Sequence, residues 1–170
     1  MNSEKKELAY PFTDLSVNGC VFAMFSKMGP EPIFSYPIPN DTTINIPDRE
    51  THVYKFEDRN YFQVAVKGIS LLLTDFSFET SNEHLENTQI FGVLPFPDME
   101  SLGLTYFTYY YSESQQCLIP VTLTLMVHDR ERIFIYDSIN YLKEDIKNFS
   151  AKLFNFCDQH KIFSEQDAQP

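Results

Sequence analysis

The residue types that could perform nucleophilic catalysis in this chain are cysteine, histidine and aspartate. Cys117 precedes an apolar run that ends at the pair His128-Asp129, and Cys20 opens another apolar run. A thiol beside an imidazole that a carboxylate orients can attack a carbonyl carbon. The same residues also suit a strand end followed by a helix cap, and loose motif matches of this kind are mostly structural. We therefore expect no catalytic residue here.

Metal and phosphate sites lack their sequence signatures. The four histidines are His52, His84, His128 and His160. None has a second histidine or a cysteine at ligand spacing, and the chain contains no CxxC, GxGxxG, GxxxxGK(S/T) or GxSxG motif. Acidic residues cluster at Glu79, Glu83 and Glu86 and at Asp98 and Glu100, but their spacing matches no calcium-binding loop. A solvated acidic surface explains them, so the sequence predicts neither a metal ion nor a cofactor.

Length and charge restrict the classes of partner. The 170 residues, 43% of them hydrophobic, suit one domain with a packed core. The formal net charge is −11, which repels nucleic acid and anionic lipid headgroups. No run of roughly 18 apolar residues predicts a membrane span, and the N-terminus lacks the apolar core of a signal peptide. We expect a cytoplasmic protein that meets membranes only through a partner.

Cysteine usage agrees with a reducing compartment. The three cysteines are Cys20, Cys117 and Cys157, and an odd, widely spaced set does not indicate a disulfide framework. Cys20 and Cys117 lie in or beside apolar runs, so we expect both to be buried as small hydrophobic side chains.

The first elements form a predicted hairpin. Residues 20–25 are a continuous apolar run, typical of a strand buried on both faces. The turn contains Gly29, for which we predict a positive φ, and Pro30. The second strand spans 32–37, and its prolines predict a place at the sheet edge. Residues 38–57 are predicted to be a long loop.

The remaining elements follow from changes in period. Apolar spacing predicts a helix over 59–74 with Asp58 as N-cap, in which Gly68 permits a close approach to the sheet. After an acidic loop, β-forming runs predict strands at 90–95, 102–111 and 118–127, with Pro120 near the start of its strand or at a bulge. A final helix, capped by Asp129 and broken near Asp137-Ser138, carries an apolar stripe that we expect to be buried. The stripe consists of Ile135, Ile139, Leu142, Ile146, Phe149, Leu153 and Phe156.

The predicted element order is β-β-α-β-β-β-α. It indicates an α+β fold with a five-stranded antiparallel sheet, and strands that are apolar on both faces require helices on both faces. We expect a single domain over residues 18–162, a polar N-terminal lead-in at 1–17 and a disordered tail at 163–170.

The hairpin segment VFAMFSKMGPEPIFSYP resembles the first hairpin of longin and roadblock domains, especially archaeal ones. The resemblance continues in VAVKGISLLLTD, FGVLPFPD and TLTLMVHDRERIFIYDSINYLKEDI, and covers roughly residues 18–158. The chain lacks the opening helix of roadblock proteins, which favours a longin-like domain.

This resemblance implies a non-enzymatic adaptor. Such domains bind or regulate small Ras-like GTPases, pair with related domains as homo- or heterodimers, and scaffold complexes in vesicle trafficking or signalling. An exposed sheet edge offers main-chain hydrogen bonds to a partner. The expected contacts are the turn and one face of the first helix, namely Lys27, Met28, Gly29, Pro30, Glu31, Gln63, Lys67 and Ser70.

A second interpretation comes from another class of protein. A PAS- or GAF-like sensor also combines a five-stranded antiparallel sheet with helices, and it binds a small ligand in a pocket lined by aromatic residues. An enclosed apolar cavity of a few hundred Å³ would favour that interpretation.

Overall fold

A computed structural model describes residues 17–36, 57–75, 85 and 87–162 of the chain. Its elements are β1 (Val17–Ser26), β2 (Gly29–Tyr36), α1 (Asp58–Asp75), β3 (Gln89–Phe96), β4 (Ser101–Ser112), β5 (Cys117–His128) and α2 (Arg132–Gln159). Two short 3-10 turns, Pro97–Met99 and Asp129–Glu131, precede β4 and α2. Except for Val17, which begins β1, and Glu57, the predicted lead-in and long loop lie outside the described residues, as do the predicted tail and most of the predicted acidic loop.

The strands form one sheet in the order β2-β1-β5-β4-β3, and every neighbouring pair is antiparallel. The predicted α+β class, with a five-stranded antiparallel sheet, is confirmed. β2 lies at an edge, as its prolines predict. Pro120 lies beyond the last β5 residue that pairs with β1, Val121, so its missing N–H interrupts no bond to that strand.

Two apolar clusters lie on opposite faces of the sheet. Ala23 of β1 and Phe107 of β4 pack with α1, whereas Phe22 and Tyr106, one residue earlier in each strand, pack with α2. Successive residues of a strand point to opposite faces, so α1 and α2 lie on different faces of the sheet. α1 lies against β2, β1, β5 and β4, and α2 lies against β4 and β5.

Two glycines fulfil their predicted roles. Gly29 has φ +111°, which confirms the positive φ predicted for the hairpin turn. A Cβ atom at Gly68 would lie 3.1 Å from Oγ1 of Thr122 on β5. Gly68 therefore lets α1 lie close to the middle of the sheet, and this contact offsets the cost of a glycine inside a helix.

α2 differs from its predicted form at both its start and its middle. The predicted cap, Asp129, lies inside the 3-10 turn before the helix, and the N-cap residue of α2 is Glu131, which makes no side-chain capping hydrogen bond. The 3-10 turn itself is capped by His128, whose Nδ1 atom accepts a hydrogen bond from the amide of Arg130 at 3.0 Å. Asp129 instead binds the Arg132 guanidinium at 2.6 Å. The predicted break near residues 137–138 is wrong, because the helix is continuous and contains no proline or glycine.

The buried stripe of α2 also departs from the predicted one in its second half. Ile135 and Ile146 are buried as predicted, but Phe149 is 49% exposed and Phe156 is 48% exposed. Their places are taken by Ser150, Phe154 and Cys157. A strict seven-residue stripe drifts about 20° per heptad around a straight helix, so its last members leave the buried face. Ile135, Ile146 and Cys157 are eleven residues apart, a spacing that stays on one face.

Asp158 ties the end of α2 to the β4–β5 hairpin. Its carboxylate accepts hydrogen bonds from the hydroxyls of Ser112 and Ser114, both at 2.6 Å, and from the amide of Glu113 at 3.0 Å. Burial would raise the pKa of this carboxyl, but these hydrogen bonds outweigh it and lower the pKa from its ordinary value. The ionised form is therefore the one that holds the hairpin.

Asp158→Asn should lower the free energy of unfolding by about 1 to 2 kcal/mol at pH 7, because charge-assisted hydrogen bonds are lost. Since the folded-state pKa lies below the ordinary value of 3.8, the stabilisation is present above that pH and is lost as the pH falls below it. Urea denaturation at pH 7 and pH 3 should show the difference from wild type shrinking at the lower pH. Asp145→Asn, on the exposed side of α2, is the control and should change little.

Candidate protein-interaction surface

Cys117 and His128, a thiol and an imidazole that could have formed a nucleophilic site, lie far apart. Cys117 and His128 begin and end β5, about 36 Å apart at the usual rise of a strand. Cys117 is exposed, contrary to our expectation, and Cys20 is partly buried. Burial raises the pKa of the Cys20 thiol to about 11, so this thiol is protonated at neutral pH. Among the described residues, no three His, Cys, Asp or Glu side chains lie close enough together to hold a metal ion.

The predicted turn residues lie at the β2 edge of the sheet. Met28 is 81% exposed, and the Ser26 hydroxyl accepts a hydrogen bond from its amide at 3.0 Å. Pro30 pairs with Phe25, whereas Glu31 pairs with Met24, a residue of the α2-side cluster. Cross-strand partners share a face, so Pro30 and Glu31 point to opposite faces. The five predicted turn residues, Lys27 to Glu31, therefore do not form one continuous surface.

Two of the predicted α1 residues lie near the opposite edge. Gln63 and Lys67 line a groove of about 150 Å³ with the five residues that end β3 and follow it, Pro95 to Met99. The Lys67 ammonium donates a hydrogen bond to the Pro95 carbonyl and lies 4.9 Å from the centre of the Phe96 ring. Ser70 is exposed one turn further along α1. The structure thus brings Gln63 and Lys67 together at β3 and separates them from the turn.

The two edges of the sheet differ in how well they resist pairing with another strand. Pro30 and Pro32 remove two amide donors from β2, and its register shifts at Phe22/Ala23 of the neighbouring β1. Prolines and bulges of this kind are typical of protected edges. β3 has neither a charged residue nor a register shift, and its only proline is the penultimate residue, Pro95. Within the described part of the chain, β3 pairs with β4 alone.

The outward hydrogen-bonding groups of β3 follow from the ladder geometry. Pro95 has no N–H, and its carbonyl accepts the Lys67 ammonium, so its backbone does not bond to β4. Backbone groups alternate between the two sides of an antiparallel strand. We therefore infer that the N–H and C=O groups of Phe91 and Val93 also point away from β4. These two residues can offer four main-chain hydrogen bonds to an added strand.

The side chains of this edge leave an apolar surface beside the exposed backbone. Phe91 stacks on Tyr106 with 4.8 Å between the ring centres, and Val93 pairs with Leu104. Both are only partly buried. The Lys143 ammonium of α2 lies 5.7 Å from the centre of the Phe91 ring. We define the β3 edge as Phe91, Val93, Lys67 and Lys143.

Of the four residues of this edge, the interaction residues predicted from the sequence included Lys67 but not Phe91, Val93 or Lys143. The signal was present in the uncharged segment QIFGVLPF. Its importance depends on the strand order, because only the last strand in a sheet has a free side. The order in turn depends on pairings between residues far apart in sequence, which local patterns do not reveal.

Two other surface grooves do not have the form of a ligand pocket. One, of about 400 Å³, is lined by polar residues, namely Glu113, Ser114, Asn155, Asp158 and Gln159. The other, of about 450 Å³, lies between β2 and the start of α1 and includes Asp58, Arg59 and the half-exposed Phe62. Each differs from the enclosed apolar cavity that the sensor interpretation requires.

Comparison of the chain with protein-family models, with curated proteins and with solved structures finds no match. Within the described ranges, no helix is both long and apolar enough to cross a membrane.

Proposed function

We propose that this chain is a non-enzymatic protein-interaction module that adds a strand of another protein to β3. The observation that carries the proposal is the contrast between the two sheet edges. β2 is protected by Pro30 and Pro32, whereas β3 is uncharged and in unbroken register. An exposed apolar edge strand is a template for pairing with another chain.

Strand addition would let this protein select its partner without any catalytic group. Main-chain hydrogen bonds from Phe91 and Val93 would supply affinity for any extended segment, and the flanking side chains would select among segments. Gln63 and Ser70 on the exposed side of α1 would extend the contact beyond the strand. This division of roles is common to domains that bind partners by β-augmentation.

The resemblance to longin and roadblock domains narrows the kind of partner. We propose a small Ras-like GTPase, or another longin or roadblock domain, within a trafficking or signalling complex. The observed order β1-β2-α1-β3-β4-β5-α2 is consistent with a longin-like domain. The proposal includes a cytoplasmic location, peripheral to membranes only through the partner, and no cofactor. Free thiols at Cys20, Cys117 and Cys157 agree with a reducing compartment.

An affinity capture tests this function. Tagged protein is incubated with cytosol of the source organism in the presence of GDP or of a non-hydrolysable GTP analogue. We expect recovery of a small GTPase or of a second longin or roadblock chain, and any dependence on the nucleotide would identify the state that is recognised. Recovery of neither, together with a small molecule that co-purifies in the core, would overturn the proposal in favour of a sensor.

A further inference from the structure

Resting on this proposed function, we infer that the strand added to β3 belongs to a different protein and carries two acidic residues five positions apart, on opposite faces of the strand. The inference comes from the charges beside the β3 edge. It specifies the chemistry of the partner segment, which strand addition alone leaves open.

Both lysines of the β3 edge lie over aromatic rings of β3. Lys143 lies over Phe91 on the α2 face, and Lys67 lies over Phe96, a member of the α1-side cluster. Each face of the strand therefore carries one cation. No residue of β3 itself is charged, and the nearby carboxylate Asp98 lies beyond the end of the strand, in the 3-10 turn.

The positive charge at the β3 edge differs in sign from the net charge of the chain. The sequence has 24 acidic and 13 basic residues, a net charge of −11, so positive charge at an otherwise uncharged edge contrasts with the rest of the protein. An incoming strand with carboxylates near Lys67 and Lys143 would gain from both pairs. The carboxylates of the strand would also be repelled by the acidic groups elsewhere on this protein. At ordinary salt concentrations, that repulsion is largely screened beyond about 8 to 10 Å.

Charge also argues against a second copy of this chain as the added strand. Two copies would each bring a net charge of −11. In a two-fold antiparallel pair of β3 strands, both Lys143 side chains would lie on the same face of the joined sheet. The repulsion would therefore act at the interface as well as between the whole molecules, and like charges placed opposite each other are destabilising.

The positions of the lysines set the spacing of the partner's carboxylates. Phe91 and Phe96 are five residues apart, which corresponds to about 17 Å along a strand. An odd separation places the two side chains on opposite faces. A partner strand in register with β3 therefore meets Lys143 with one residue and Lys67 with the residue five positions away.

Three labelled peptides test the inference against the full chain. The first is acetyl-Thr-Glu-Val-Thr-Val-Thr-Glu-Thr-amide, and the other two replace both glutamates by glutamine or by lysine. Fluorescence anisotropy at 50 mM salt should show the acidic peptide binding about tenfold more tightly than the glutamine peptide. The difference should fall below about twofold at 500 mM salt, because exposed ion pairs are screened.

Variants of the chain then assign the effect to the two lysines. The double variant Lys67→Gln/Lys143→Gln should remove the preference for the acidic peptide, whereas Lys147→Gln/Lys152→Gln removes the same charge elsewhere on α2 and should retain it. Circular dichroism checks that each variant is folded. If removing Lys67 disturbs α1, Lys143→Gln alone should still reduce the preference about threefold.

The outcomes separate this inference from the proposed function. Equal binding of all three peptides, all of it lost in Val93→Pro, would leave strand addition standing and overturn the acidic preference. A dimer of the chain in sedimentation experiments that Val93→Pro abolishes would overturn the inference in favour of a second copy. Binding of no peptide, or binding that Val93→Pro leaves unchanged, would overturn both proposals.

Discussion

Ile146→Asp should unfold the domain. Ile146 is 4% exposed and lies in the cluster that α2 forms with β4 and β5. The substitution removes an apolar side chain from a packed core and places a carboxylate without a partner among apolar groups. We expect a loss of at least about 4 kcal/mol, a large part of the usual stability of a domain. Thermal unfolding followed by circular dichroism should show a melting temperature lower by at least about 10 °C, or no folded state.

Phe149→Asp is the matched control, one turn further along the same helix. Phe149 belongs to the apolar stripe predicted from the sequence but is 49% exposed in the structure. We expect this change to cost less than about 1 kcal/mol, since the carboxylate would remain in water. Similar destabilisation by both substitutions, or a larger effect at Phe149, would contradict the observed orientation of α2.

Val93→Pro should abolish binding of the partner while the domain stays folded. The Val93 N–H points away from β4 in the ladder inferred above, so a proline there removes a donor that the fold does not use. The ring also blocks the close approach of an added strand. We expect at least about a hundredfold loss of affinity for the captured partner, because a central main-chain bond is lost and the strand is displaced. Isothermal titration with the captured partner measures the change.

Val93→Ala separates the backbone effect from that of the side chain. It removes the same valine but keeps the N–H, so most of the affinity should remain. Gly92→Pro provides the opposite control. Backbone N–H groups of successive residues point to opposite sides of a strand, so the N–H of Gly92 points towards β4 in the inferred ladder. A proline at this position should therefore unfold the sheet edge. Equal loss of binding in Val93→Ala and Val93→Pro would show that backbone pairing at β3 is not what holds the partner.

Local patterns in the sequence were sufficient to predict most of the fold. Apolar runs and turn residues predicted all five strands to within a few residues, and the prolines of β2 predicted an edge. The positive φ of Gly29 and the close packing at Gly68 also followed from what glycine permits. These features depend on residues near each other in the chain, which is why a single sequence reveals them.

The wrong predictions concern features of α2 that depend on geometry over many residues. The apolar stripe on α2 was extended at seven-residue spacing, but a straight helix over 28 residues rotates that stripe away from the sheet, so Phe149 and Phe156 are exposed. The expected break near residues 137–138 assumed that a single helix of this length is too long for a globular domain. Ser138 is instead fully buried inside a continuous helix.

The placement of the candidate interaction residues could be predicted only in part, for a related reason. Gln63, Lys67 and Ser70 could be identified from their spacing on α1, and two of them, Gln63 and Lys67, do lie beside β3. Their separation from the turn at Lys27 to Glu31 depends on the strand order, which places β2 and β3 at opposite edges. That order is set by pairings such as Phe22 with Leu123, about a hundred residues apart in the sequence.

Site-specific photo-crosslinking tests the pairing at β3 most directly. A photoreactive phenylalanine analogue is placed at Gln89, an exposed residue of β3, and separately at Tyr36, which is 55% exposed on β2. Each protein is irradiated in cytosol of the source organism, and the crosslinked chain is identified by mass spectrometry. We predict one discrete adduct from position 89 that Val93→Pro removes, and no such adduct from position 36. An adduct from position 36 alone would contradict the account and assign the partner to the β2 edge.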